Sequence, residues 1–97
     1  MINSVTIKDV KLKIGSICKR KRMQSGLSRE ELAIALQMSR TTIQNIENGK
    51  NATLDNVLKV ANHFDLLEKI FSSLEIEEQT SSTNISLYYF VIRKGNV

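Results

Sequence analysis

One cysteine in 97 residues leaves no partner for an internal disulfide, and a lone thiol suits a reducing compartment. Cys18 falls within a helical stretch and reads as a small core residue, not a nucleophile. The single histidine, His63, has no second His or Cys near enough for metal-ligand spacing, so no metal is expected. A glycine-rich phosphate loop is also missing. The adjacent acids Glu30 and Glu31 are better explained as first-turn residues that favour a helix dipole. No groups converge for chemistry, so the chain is not expected to be an enzyme, and no catalytic residue or cofactor is assigned. No apolar run approaches the roughly 18 residues of a bilayer span. The opening MINSVTIKD lacks the apolar centre of a signal peptide. The expectation is a soluble cytoplasmic protein with no membrane partner.

What the chain does have is positive charge, unevenly spread. The net charge is +4, but residues 1–50 hold ten Lys or Arg against four Asp or Glu. Residues 51–97 hold four against six. The basic half, with KRKR at residues 19–22, is the half able to meet phosphates. Basic runs are commonly just solvated helix faces, so the charge needs a structural companion.

Residues 27–50, LSREELAIALQMSRTTIQNIENGK, provide it. Ser28 precedes an acidic-then-apolar run, with Glu31 three residues on, the pattern of a capping box. Ser39 repeats the device ahead of Thr42, Ile43 and Ile46, and only Gln37 and Met38 remain for a turn. Two helices so short and so closely joined are expected to cross steeply, with the second protruding. A protruding helix with a polar outer face on a basic chain is a DNA-reading device.

Here the segment resembles the helix-turn-helix of the Cro/C1 (XRE) family of phage and bacterial repressors. LSREELA at residues 27–33, SRTTIQNIE at 39–47 and NGK at 48–50 carry the likeness, which extends over about residues 14–66. Arg29 stands where the family usually has Gln, Gln37 where it often has Gly, and Cys18 where it usually has Ile or Leu. The resemblance implies a mainly α, five-helix lambda-repressor-like domain. Helices are expected over residues 10–24, 29–36, 40–48, 54–64 and 66–74. Asp9 and Thr53 are the outer caps, and Gly26 ends the first helix in positive φ. Val10, Ile14, Ile17, Cys18 and Met23 form the expected inward stripe of the first helix. Leu54, Val57, Leu58, Ala61 and Phe64 do so in the fourth.

With Ile43 and Ile46 inward, Arg40, Thr41, Gln44 and Asn45 face out, and their chemistry suits base edges. Ser28 and Arg29, at a helix start, are candidate phosphate ligands. Thr42, Asn48, Lys50, Asn51 and Lys19 join them from around the reading helix. In similar repressors an arginine four residues before the glycine that ends the first helix pairs with the glutamate that ends the third. The matching residues are Arg22 and Glu47.

Beyond the helices, residues 75–84 (EIEEQTSSTN) are polar and Ser/Thr-rich and read as a linker. Residues 85–93 are dense in β-branched and aromatic side chains and read as a strand. The expected domains are therefore 8–74 for DNA binding, 75–84 as linker and 85–97 as a C-terminal β-strand extension for dimerisation or partner binding. A solitary strand needs a partner edge. Leu87, Tyr89 and Val91, with Ile70 and Phe71 of the fifth helix, are the expected interface. The function expected is a dimeric repressor of a near-palindromic operator in double-stranded DNA, regulating its own operon. The alternative is an antitoxin that also neutralises a kinase-type toxin. The stretch NATLDNVLKVANHFDL, residues 51–66, is similar to the matching region of antitoxins paired with HipA-type kinases.

Overall fold

The computed structural model describes residues 4–82, which form five helices. They divide into two units, the first ending at Asp65 and the second beginning at Leu66.

In the first unit, α1 spans Ile7–Gln24. It begins three residues before the position expected from sequence, and its cap is Thr6 instead of Asp9. Thr6 Oγ1 accepts from Asp9 N at 3.0 Å, and Asp9 Oδ2 accepts from Thr6 N at 3.0 Å. Asp9 is thus the third-position partner in a capping box. The early start is hard to see because Val5 and Ile7 are exposed and extend no inward stripe. At the other end, Gly26 takes φ +73, and Leu27 N donates back to Arg22 O at 3.2 Å. That is the helix stop expected of a glycine just past the last turn.

α2 covers Arg29–Leu36 and α3 covers Arg40–Glu47, one residue shorter than expected. Ser28 and Ser39 cap them, each accepting from the backbone N–H three residues on at 3.0 Å. Each such cap contributes about 0.5–2 kcal/mol. Between them Gln37 adopts φ +56, and Met38 N donates to Ala33 O at 2.9 Å. The departure from glycine at this turn therefore leaves its geometry in place. α4, Leu54–His63, starts from Thr53 and stops one residue before the expected end.

The core of this unit gathers Cys18, Leu32, Ala33, Ile43, Ile46, Val60, Ala61 and Phe64, with α3 packed against both α1 and α2. Two inward stripes differ from expectation. Along α1 the buried line is Gly15, Cys18 and Arg22, while Val10, Ile14 and Met23 are exposed and Ile17 is half-buried. In α4, Val60 is buried and Leu54 is exposed. Counting apolar residues misses the α1 line because a glycine and an arginine lie on it. A Cβ at Gly15 would press on the carbonyl oxygens of Ile46 and Glu47, so only glycine lets α1 come this close to the end of α3.

In the second unit, α5 runs Leu67–Ser82, so most of the stretch read as a linker is helical. Glu and Gln are good helix formers, and polarity in EIEEQ reports exposure to water, not a loop. Leu67, Ile70, Phe71, Leu74 and Ile76 are exposed. The strand read over residues 85–93, with Leu87, Tyr89 and Val91, lies outside the described residues.

Candidate nucleic-acid interface

Glu47 closes α3 with its side chain 1% exposed, an arrangement that would be costly for an unpaired carboxylate. Two arginines hold it. Arg22 on α1 donates from Nε to Oε2 at 2.6 Å and from Nη2 to Oε1 at 3.1 Å. Arg29 on α2 donates from Nε to Oε1 at 3.0 Å. Arg22 Nη1 also donates to Leu27 O at 2.8 Å, fastening the α1–α2 connection. One carboxylate thus ties α3 to both α1 and α2. Burial by itself would raise the Glu47 carboxyl, but the hydrogen bonds and charges of Arg22 and Arg29 outweigh it and hold the group below its usual value. The same setting moves Cys18 the other way. Burial, helped by the Glu47 charge, pushes its thiol up to about 11, which keeps it protonated and unreactive at neutral pH.

Arg29 is the residue whose surroundings sequence reasoning did not foresee. Its position at a helix start points to a phosphate, and its guanidinium Nε also donates to Glu47. The signal was available in the substitution of a cation for the family's usual Gln at this place. A second cation near a buried glutamate has an obvious partner.

The outer face of α3 presents Arg40 and Thr41, both exposed, with Gln44 and Asn45 half-buried farther along. Arg40 Nη1 donates to Gln44 Oε1 at 3.0 Å, and Arg40 Nε lies 3.4 Å from Glu30 Oε2 on α2. Thr42 is half-buried, and its hydroxyl lies 2.8 Å from that of Ser39, so it belongs to the α3 cap. An open groove between α1, α2 and α3 is lined by four cations, Lys19, Arg22, Arg29 and Arg40, against one carboxylate, Glu30. Ser28 also lines it; its backbone N–H donates to Glu31 Oε1 at 2.8 Å and its Oγ accepts from Glu31 N at 3.0 Å. Lys19 is exposed there.

Past α3, Asn48, Lys50 and Asn51 are exposed. Lys11 Nζ donates to Asn51 Oδ1 at 2.6 Å. An ammonium can only donate, so the Asn51 oxygen faces Lys11 and its NH₂ is turned the other way. No local pattern marks Lys11, because the contact joins residues forty positions apart.

Among the described residues no cluster of three or more His, Cys, Asp or Glu could hold a metal, and no helix is long and apolar enough to cross a membrane. His63 is exposed at the end of α4, its ring edge-on to Phe64 at 4.9 Å.

No curated protein matches the chain. Residues 19–69, just over half of it, match the family model described as helix-turn-helix. That span takes in the whole of α2, α3 and α4 with the Arg22–Glu47–Arg29 cluster. The chain therefore belongs to the helix-turn-helix family, of the XRE type, whose members are DNA-binding transcription regulators.

Proposed function

We propose that this protein is a sequence-specific repressor that binds a near-palindromic operator as a homodimer and controls its own operon. The observation that carries the reading is the polar row Arg40, Thr41, Gln44 and Asn45 on a helix fixed from behind by the buried Glu47 cluster. Side chains that specify bases must be held in place, and buried ion pairs at the C-terminal end of the same short helix supply that rigidity. Arg40, Thr41, Gln44 and Asn45 are the base readers. Ser28, Arg29, Lys19, Thr42, Asn48, Lys50 and Asn51 serve the phosphates, with Arg29 acting mainly through Glu47. One reading helix gives limited affinity. Two copies spaced one DNA turn apart raise it and impose the operator's symmetry.

The test is binding to a duplex covering the region upstream of the protein's own gene, against a shuffled duplex of equal length. Specific protection of two half-sites about one helical turn apart is expected. Equal affinity for the two duplexes at every salt concentration rules out self-regulation.

A second activity, capture of a kinase-type toxin, is favoured by the exposed apolar side chains of α5, with Phe71 and Leu74 both more than half exposed. Co-expression with a neighbouring kinase-like gene product tests it. Failure to form a stable complex removes the antitoxin reading and leaves the repressor one standing.

A further inference from the structure

The segment that follows α3 is fixed by its backbone up to Lys50. Asn48 N donates to Gln44 O at 3.0 Å, Gly49 N to Ile46 O at 3.2 Å and Lys50 N to Asn45 O at 2.8 Å. Asn51, the next residue, is held through its side chain, with Lys11 Nζ 2.6 Å from its Oδ1. Gly49 is what lets α1 come near enough for this contact. It takes φ +70, and a Cβ there would lie 2.7 Å from Leu12 Cδ2 and 3.1 Å from Leu12 Cα. Leu12 thus seats α1 against the segment, and Lys11, its neighbour in α1, has a short, fixed reach to Asn51.

A phosphate oxygen accepts hydrogen bonds and has none to give, so only the NH₂ end of a side-chain amide can hold it. An amide free to turn presents that end part of the time and loses rotational freedom on binding. An ammonium on Oδ1 removes the choice, because it can only donate. It also draws electron density toward Oδ1 and makes the NH₂ a stronger donor. Lys11 is half-buried and Asn51 exposed, so the amide is the member of the pair that a DNA backbone meets.

We propose that Lys11 is a positioning residue for DNA-backbone binding, holding the Asn51 amide with its NH₂ outward as a preset donor to a phosphate oxygen. Lys50 supplies charge at this point and Asn51 supplies direction. This role rests on Asn51 meeting a phosphate, as in the function proposed above.

A double-mutant cycle on the full-length protein tests it. Wild type, Lys11→Met, Asn51→Ala and the double variant are each measured over a range of salt, on the duplex from upstream of the protein's own gene and on its shuffled counterpart. Phosphates are common to both duplexes, so the cycle is readable even where self-regulation fails. Asn51→Ala is expected to weaken binding to both about three- to tenfold. Lys11→Met should weaken both by a similar factor with an unchanged salt slope, and the double variant should bind no worse than Asn51→Ala. The unchanged slope separates a positioning lysine from one on a phosphate, because the group lost from the DNA is an uncharged amide. Lys11→Arg keeps a donor for Oδ1 and should bind like wild type. Losses that add in the double variant, with the slope lowered by about one unit in Lys11→Met, make Lys11 a phosphate ligand in its own right and overturn the proposal. Wild-type affinity in Lys11→Met overturns it too. Unchanged affinity in Asn51→Ala takes Asn51 out of the phosphate set and the proposal with it, while a wild-type preference for the upstream duplex would leave the repressor standing.

Discussion

Glu47 shows how much one residue can be asked to hold. Its carboxylate is removed from water and stays charged because two guanidinium groups reach it from different helices. Breaking a buried pair by deleting one partner typically costs about 3–5 kcal/mol, because the remaining charges stay buried. Glu47→Ala is expected to lose about that much, read as a lower melting temperature in the absence of DNA. Arg29→Ala should cost less, since Arg29 is more exposed than Arg22 and Glu47 keeps Arg22. The pair also makes stability depend on pH. The Glu47 carboxyl lies below its usual value when folded, so the unfolded chain takes up the proton first, near pH 4.3. Its contribution is complete above that pH and disappears as the pH falls through the folded value. The gap in melting temperature between wild type and Glu47→Gln should therefore be widest near neutrality and narrow in acid. Asp9, held low first by the Thr6 backbone N–H, adds acid sensitivity to both proteins equally and drops out of the comparison. A gap that stays constant from pH 7 to pH 3 would show that Glu47 is not the titrating group. The Arg22–Glu47 pairing was legible only through family resemblance. No periodicity indicates that an arginine lies on the buried face of a helix.

At the scale of elements, the caps were the most readable feature. Ser28, Ser39 and Thr53 stand where the sequence places them, because a hydroxyl before an apolar-periodic run has a local use for its oxygen. Faces were less readable. Cys18 of α1 is on the buried line as expected, but Ile14, Ile17 and Met23 sit one position away from it, and the line is otherwise set by the close approach at Gly15 and the ion pairing of Arg22. Both depend on contacts with α3 that a local pattern cannot contain. Two substitutions follow. Gly to Ala inside a helix ordinarily stabilises by about 0.5–1 kcal/mol. Gly15→Ala should instead destabilise by about 1–3 kcal/mol, because its methyl meets backbone carbonyls that cannot rotate away. Gln37→Gly should go the other way. Gln37 is an exposed residue at φ +56, where an L side chain carries roughly 1 kcal/mol of strain that glycine does not. Chemical denaturation of both variants checks the pair of signs. A stabilised Gly15→Ala protein would mean that α1 and α3 are farther apart than described.

For the whole molecule, the division of charge matches the division of labour proposed here. Ten of the fourteen cations lie in residues 1–50, which supply α1 to α3 and the groove. Residues 51–97 hold four cations against six carboxylates. The helix there is longer than the polar composition of residues 75–84 suggests, because residues 75–79 are exposed turns of α5 and not a linker. Apolar side chains at Leu67, Ile70, Phe71 and Leu74 recur at three- and four-residue spacing along that helix and are exposed. A stripe with that spacing is the kind that a second helix covers. Residues 85–93, whose β-branched and aromatic composition is that of a strand in need of an edge, lie outside the described residues and are the competing candidate. Sedimentation of the chain lacking residues 84–97, set beside the full-length Phe71→Glu variant, discriminates between them. If the terminal segment makes the dimer, truncation gives a folded monomer with much weaker operator binding, while Phe71→Glu remains dimeric. Should the truncated chain stay dimeric at micromolar concentration and Phe71→Glu dissociate, the interface belongs to α5. The terminal segment is then free for a protein partner. Either result must also change the salt dependence of operator binding, because losing one subunit removes half of the phosphate contacts and roughly halves the slope.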